Sequence, residues 1–338
     1  MLTRYPPAAD ESWLPEDRGK ISRARPARVE SDPDREERAL ITTAKTGLNP
    51  LPWVLTADGF ELTEPVLRGA FAEVATTGFV GIHADPPADM SPAAYRDLLA
   101  EFGLRPAPGY FSAAFHAEPT REVVEAAKQH AAIQAELGNT EAFIAGTLVD
   151  YRKAVPAVGA DFDPALLERT IQSLGAAAEA IVGEGVRPVL HPHVGSLVEV
   201  EHEVRAVLEG IPASVLGFGP DTGHLSWAGM DAPSIMSEYA DRIGAMHLKD
   251  VHLDQAAAAR AAGADYHTAT REAFTIWTEP GRGDLDLVAA LDTLPAGFGG
   301  WIIVEVDVPE APSNLASTEL SARWVTEHLG PDALTANQ

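Results

Sequence analysis

The chain has no cysteine in 338 residues. Disulfides and thiolate metal sites are therefore excluded, and any metal must be held by His, Asp or Glu. Basic residues are scarce: 25 Lys and Arg face 50 Asp and Glu, a formal net charge of −25. A field of that sign repels DNA, RNA and anionic membranes, because binding to phosphate backbones depends on Lys and Arg. Long apolar runs are also missing; no window approaches the ~18 uninterrupted apolar residues of a membrane span. The first twenty residues hold no apolar stretch of the kind a secretory signal needs. These absences lead to the expectation of a soluble, cytoplasmic protein that engages neither nucleic acid nor membrane.

What is present is an ordinary globular composition, 46% hydrophobic and 22% charged, in a chain within the length range of one α/β barrel. Residues 1–46 are rich in Pro, Arg, Asp and Glu without sustained periodicity. They are expected to form an N-terminal extension, irregular or an arm lying on another subunit of a homo-oligomer. Beyond them, short apolar runs alternate with amphipathic helical runs. The predicted strands are 48–54, 79–84, 105–112, 142–149, 187–193, 214–220, 243–249 and 301–307, with helical patterns such as 120–137 and 163–185 between them. Eight strands each followed by a helix predict a TIM (β/α)8 barrel over 47–331, with a short tail at 332–338. An open doubly wound sheet is disfavoured, since no glycine fingerprint follows the first strand. One connection, 250–283, is out of proportion and ends at a helix for which Asp284 is the expected N-cap. Such long connections are often lids or binding loops.

Catalytic groups in these barrels come from the C-terminal ends of the strands. Strand two ends in His83, strand five in His191 and His193, and strand six runs into Asp221-Thr222-Gly223-His224. Strand seven ends with His247 and Lys249, and strand eight with Glu305 and Asp307. Positions i and i+2 of a strand point the same way, so each pair can face the barrel mouth together. Taken singly, each residue has a structural explanation as a rim or capping residue. Four consecutive strands ending in His or carboxylate, in a chain with eleven histidines, point instead to a divalent metal site. A mixed nitrogen and oxygen donor set suits Mn²⁺, Co²⁺ or Zn²⁺.

The strings "DTGHLSWAGMD", "ADRIGAMHLKDV", "EPGRGDLD" and "GWIIVEVD" resemble the sugar isomerase/epimerase superfamily, whose barrel is shared with xylose isomerases and type IV apurinic-site endonucleases. Within it the chain is most similar to the inosose (2-keto-myo-inositol) dehydratase group, through "HPHVGSLVE" and "AAAARAAGADYHTATREAFTIWTEPGRG". The resemblance spans roughly 47–310 and is densest in the second half. It implies Asp221, His247 and Glu305 as metal ligands. His191 stands where most superfamily members carry a Glu; the dehydratase-like members also have His there, and the fourth ligand is either His191 or Glu199. Glu305, His193, His224 and Lys249 fall at substrate-contacting or proton-transfer positions. Trp53, His83 and Trp227 are candidates for the pocket wall.

The activity implied is that of a lyase using Mn²⁺ or Co²⁺, with Zn²⁺ as an alternative, that dehydrates a polyhydroxy ketone such as 2-keto-myo-inositol. A sugar epimerase, a ketose isomerase or cleavage of a 3-keto C-glycoside on the same site are the rival activities. A catalytically silent barrel that binds a sugar or a protein partner is the non-enzymatic rival.

Overall fold

The computed structural model describes residues 44–56, 59–330 and 332–334. Most of the expected N-terminal extension, residues 1–43, lies outside them. Eight parallel staves surround a central axis: β1 (Lys45–Leu48), β2 (Gly81–His83), β3 in two pieces (Arg105–Ala107 and Tyr110–Ala113), β4 (Glu141–Gly146), β5 (Arg187–Leu190), β6 (Gly217–Phe218), β7 (Ala245–Leu248) and β8 (Trp301–Val304). β1 pairs with β8 (Lys45 opposite Trp301) and with β2, and β8 pairs with β7. β2 pairs with the first piece of β3, and the second piece opens the run β3–β4–β5–β6. Two bridges, Phe218 to Ile243 and Asp221 to His247, join β6 to β7 and close the ring. The architecture is the expected (β/α)8 barrel. Among the described residues no helix is long and apolar enough to cross a membrane.

The strands are shorter than predicted, and the first is displaced. β1 opens at Lys45, ahead of the expected boundary at 47, and Leu51–Val54 is a helical turn rather than strand. The reason is Pro50 and Pro52. β1 has neighbours on both edges, and a proline there would remove a ladder hydrogen bond, whereas the first turn of a helix tolerates it. β3 breaks at Pro108-Gly109. A Cβ on Gly109 would lie 2.3 Å from the Ala84 carbonyl oxygen, so that kink requires glycine. At the other end Thr46 donates its hydroxyl to the Ala333 carbonyl at 2.6 Å, and Leu334 is buried in the core, so the segment expected as a tail packs under the barrel in part.

Strand periodicity decides what faces the axis. Ala107, Phe143, Val189, Ala245, Trp301 and Ile303 form one buried cluster inside the ring. Their neighbours Ile144, Leu190, Met246, Leu248, Ile302 and Val304 join the larger core beneath the helices. Glycine at inward positions leaves room for the big inward side chains: a Cβ on Gly81 would meet the Trp301 ring at 2.4 Å. Two residues further on, the inward parity continues as Asn49, His83, His191, Asp221, His247 and Glu305, which places a polar layer above the apolar one.

The long connection after β7 is not a bare loop. It carries helices Leu253–Ala261 and Tyr266–Arg271, and its Trp277–Thr278 pairs antiparallel with Asp250–Val251. Val194, Trp227, Val251, Ile276 and Trp277 give it a small core of its own. The following helix, Leu287–Asp292, is capped by Asp286, which accepts from Ala289 N–H at 2.9 Å. The expected cap, Asp284, instead accepts from Leu253 N–H at 2.8 Å and ties the start of the connection to its end.

Candidate active site and metal centre

His191, Asp221 and His247 converge so that one ligand atom from each lies within 4.8 Å of the others. That is close to the span covered by ligands around one ion with bonds of ~2.0–2.2 Å. Glu305 completes the group, its Oε2 standing 3.1 Å from His247 Nδ1. All four side chains are buried. Asp221 divides its carboxylate: Oδ1 accepts from His224 N–H at 2.8 Å and caps helix Thr222–Trp227. Oδ2 has no hydrogen bond and faces His247 Nδ1 at 3.7 Å. His191 Nδ1 and both ring nitrogens of His247 are likewise buried without a hydrogen bond. Buried polar atoms in folded proteins are normally satisfied. Three residues that each offer an orphaned donor atom to one place are what a divalent cation site looks like, and two imidazoles with two carboxylates are a fitting donor set for one.

The field at this point agrees. Burial disfavours the charged form of His247, but the Glu305 and Asp221 carboxylates outweigh it and raise its pKa to about 9. The same two carboxylates would attract a cation. Burial, followed by the nearby His247, drives His191 well below the usual imidazole range, so that it is a neutral ring able to ligate.

A basic side chain buttresses the carboxylates. Lys249 is fully buried, with Nζ 2.6 Å from both Glu305 Oε1 and Asp307 Oδ1. Burial opposes its charge, yet Asp307, Glu305 and Asp221 together keep it protonated far above its ordinary range. Its backbone is clamped to β6, since Thr222 Oγ1 accepts from Lys249 N–H at 2.9 Å and donates to the Lys249 carbonyl at 2.7 Å. Asn49, at the end of β1, donates its side-chain amide to Glu305 Oε2.

A cavity of about 390 Å³ opens onto this centre, with Asn49, His83, Asp85, Tyr110, His193 and Glu305 on its polar side. His83 Nε2 lies 3.3 Å from Asp85 Oδ2. His193 donates from Nδ1 to the Val194 carbonyl at 2.7 Å, which leaves Nε2 with its lone pair. Burial lowers His193 to about 4, so the ring is neutral at pH 7. His224 packs on it with ring centres 3.8 Å apart, and accepts Val194 N–H on Nδ1 at 3.4 Å. One residue, Val194, thus sets opposite tautomers in two adjacent rings. The edge of Tyr110 meets His191, ring centres 5.2 Å apart, and Tyr266 stacks on His193 from the long connection.

Glu199, the alternative fourth ligand, is held elsewhere. It is paired with Arg152 at 2.9 Å and accepts backbone N–H groups from Gly195 at 2.7 Å, Gly159 at 2.8 Å and Ala157 at 3.3 Å. Arg152 also pairs with Glu203 at 2.7 Å. The triad braces the turn that carries His193. Lys249 and His224, like His191, Asp221 and His247, are buried next to the cavity without lining it. Trp53 lies on the helical turn after β1, donates to Glu73 at 3.1 Å, and does not line the cavity. Trp227 is buried between Trp277 and Tyr266, also off the wall.

Asn49, Asp85 and Tyr110 line the cavity, and the sequence patterns did not single them out. Asn49 was within reach of the strand-end rule, once β1 is placed to end at Leu48. Tyr110 was hidden by the break in β3. Asp250 of the "HLKD" string has a structural role. Its carboxylate accepts the N–H groups of Gly281 at 2.8 Å and Gly283 at 3.0 Å, which pins the "PGRG" turn.

The chain is 26% identical over 297 residues to an inosose dehydratase of Geobacillus thermodenitrificans (strain NG80-2), covering 85% of this chain and 97% of that one. Among solved structures, a xylose isomerase-like TIM barrel protein from Mycobacterium smegmatis in complex with magnesium superposes with a TM-score of 0.62 at 17% identity, over 87% of this chain and 99% of that one. A D-allulose 3-epimerase from Methylomonas sp. gives 0.62 at 16%, over 86% and 99%. At such identities the structural likeness is one of fold. The profile of the xylose isomerase-like TIM barrel family matches residues 71–328, most of the chain. Together with the closed barrel and its histidine and carboxylate centre, that match makes the chain a member of the xylose isomerase-like TIM barrel family.

Proposed function

We propose that the protein is a metal-dependent lyase that dehydrates a polyhydroxy ketone, with 2-keto-myo-inositol as the leading substrate. The observation that carries this reading is the ligand set. At the end of β5 it offers the imidazole of His191, while Glu199 is bound to Arg152, so Glu305 is the one carboxylate of the set on the cavity wall. A symmetrical epimerisation, with a ligand carboxylate on each face of the substrate, lacks its second base. An elimination needs one base. The near full-length similarity to an inosose dehydratase supports the same choice.

His191, Asp221, His247 and Glu305 would hold the cation, Mn²⁺ or Co²⁺ ahead of Zn²⁺, which supplies Lewis acidity at the ketone and its neighbouring hydroxyl. The chain's own residues handle the protons. His193 presents a free Nε2 to the cavity and takes the proton from the carbon beside the ketone. The resulting imidazolium returns that proton to the hydroxyl on the next carbon. The C–H and C–O bonds break, a C=C bond forms, and water leaves. Lys249, clasped between Glu305 and Asp307, keeps Glu305 ionised and in place.

Mass spectrometry on keto-inositol and keto-sugars with the metal-loaded protein separates the reactions. Dehydration removes one water, epimerisation or isomerisation conserves mass, and cleavage of a 3-keto C-glycoside releases its aglycone. His193→Asn should lower turnover by ~10²–10⁴-fold with the metal retained. His247→Ala should lose both metal and turnover, and near-normal turnover in that variant refutes the assignment.

A further inference from the structure

The cavity has two unlike ends. The polar end is the site above. The other is built by the stretch that follows β1: Leu51 and Val54 on the helical turn, Phe60 and Leu62 in and just after the Gly59–Phe60 strand, and Leu67 on helix Glu64–Val74. These five side chains carry no hydrogen-bonding group, and of the rest of the lining only Tyr95 adds one to those named on the polar side. A polyhydroxy ring bears hydroxyls around its whole rim, and hydroxyls pressed against such a wall would lose their partners in water without replacement. The cavity, at about 390 Å³, also falls in the ~300–1,000 Å³ range of sites that take drug-sized ligands, larger than one six-membered ring requires. Phe60 is 70% exposed beside this wall, an aromatic that a bound group would cover. The strand pair bearing it is tethered from across the barrel mouth, where Arg271 Nη1 donates to the Thr56 carbonyl at 3.1 Å.

We infer that this wall is a subsite for an apolar substituent, so that the protein also takes polyhydroxy ketones of the 2-keto-myo-inositol type that carry an aryl or alkyl group on the side away from the ketone. The inference rests on the proposed ketone chemistry for the placement of the polar ring. Apolar area withdrawn from water onto the wall supplies the selectivity, and the polar end is left to the reacting atoms.

The test compares 2-keto-myo-inositol with its phenyl ether at the carbon opposite the ketone, by calorimetric binding to the Mn²⁺-loaded full-length protein. The phenyl ether should bind ~10–100-fold more tightly. In Phe60→Ser, where an exposed side chain is changed, that gain should shrink by roughly threefold or more, with the affinity for the parent ketone unchanged. Leu62→Ser should act in the same direction. Equal affinity for the two ligands, no binding of either, or a gain that survives both substitutions overturns the subsite. Tighter binding of the phenyl ether without loss of water from either ligand would instead sink the proposed reaction and leave the subsite standing.

Discussion

Arg152→Met tests whether Glu199 belongs to the structure or to the metal. Arg152, Glu199 and Glu203 are each about 1% exposed, and the guanidinium pairs with both carboxylates at 2.9 and 2.7 Å. Methionine fills much of the same volume but leaves two like charges buried side by side. Breaking a buried ion pair costs about 3–5 kcal/mol, a large part of the ~5–15 kcal/mol that holds a typical domain together. For a barrel of this size the loss corresponds to a fall in Tm on the order of 5–10 °C. Urea denaturation should show a lower midpoint with an unchanged slope. Replacing all three together, Arg152→Met with Glu199→Gln and Glu203→Gln, should recover much of that loss, since no charge is then left unpaired. Below its melting temperature, Glu199→Gln should bind metal with wild-type stoichiometry. An unshifted midpoint in Arg152→Met, or a folded Glu199→Gln that no longer retains metal, would refute the reasoning and restore Glu199 as a ligand.

Two further outcomes follow from single contacts. Gly81→Ala puts a Cβ 2.4 Å from the Trp301 ring and 2.8 Å from the Thr46 carbonyl. This overpacking should lower stability by about 1–3 kcal/mol, read by thermal unfolding, and Trp301→Leu in the same chain should relieve part of it. Asp250→Ala strips the Gly281 and Gly283 N–H groups of their acceptor. The turn should loosen at about 1–3 kcal/mol per orphaned group, visible as faster amide exchange across 279–285, and unchanged exchange there would count against the assigned role.

Sequence and structure part ways at Glu199. The "SLVE" string offers a carboxylate close in sequence to His191, and spacing alone leaves either residue eligible as a ligand. What engages Glu199 is Arg152, 47 positions earlier in the chain, and nothing local to residues 191–199 announces that partner. Lys249 shows the same limit. Its alternation with His247 points it into the barrel mouth, as expected. That its ammonium is clasped there by Asp307 and Glu305 of the neighbouring strand is not written in that alternation.

By itself the sequence determined the barrel and the strand ends at which its histidines and carboxylates gather. Apolar runs alternating with amphipathic helices leave few ways to bury both faces of a parallel sheet. The two-residue period then sends His191, His247 and Glu305 inward with their apolar predecessors. It also settled that any metal would be held by nitrogen and oxygen donors. Only the tertiary structure decided which of those donors are left without partners, which carboxylate is already bound to an arginine, and which imidazole meets the cavity. Those are matters of contact between segments far apart in the chain, and periodicity reports only the direction in which a side chain leaves its own strand.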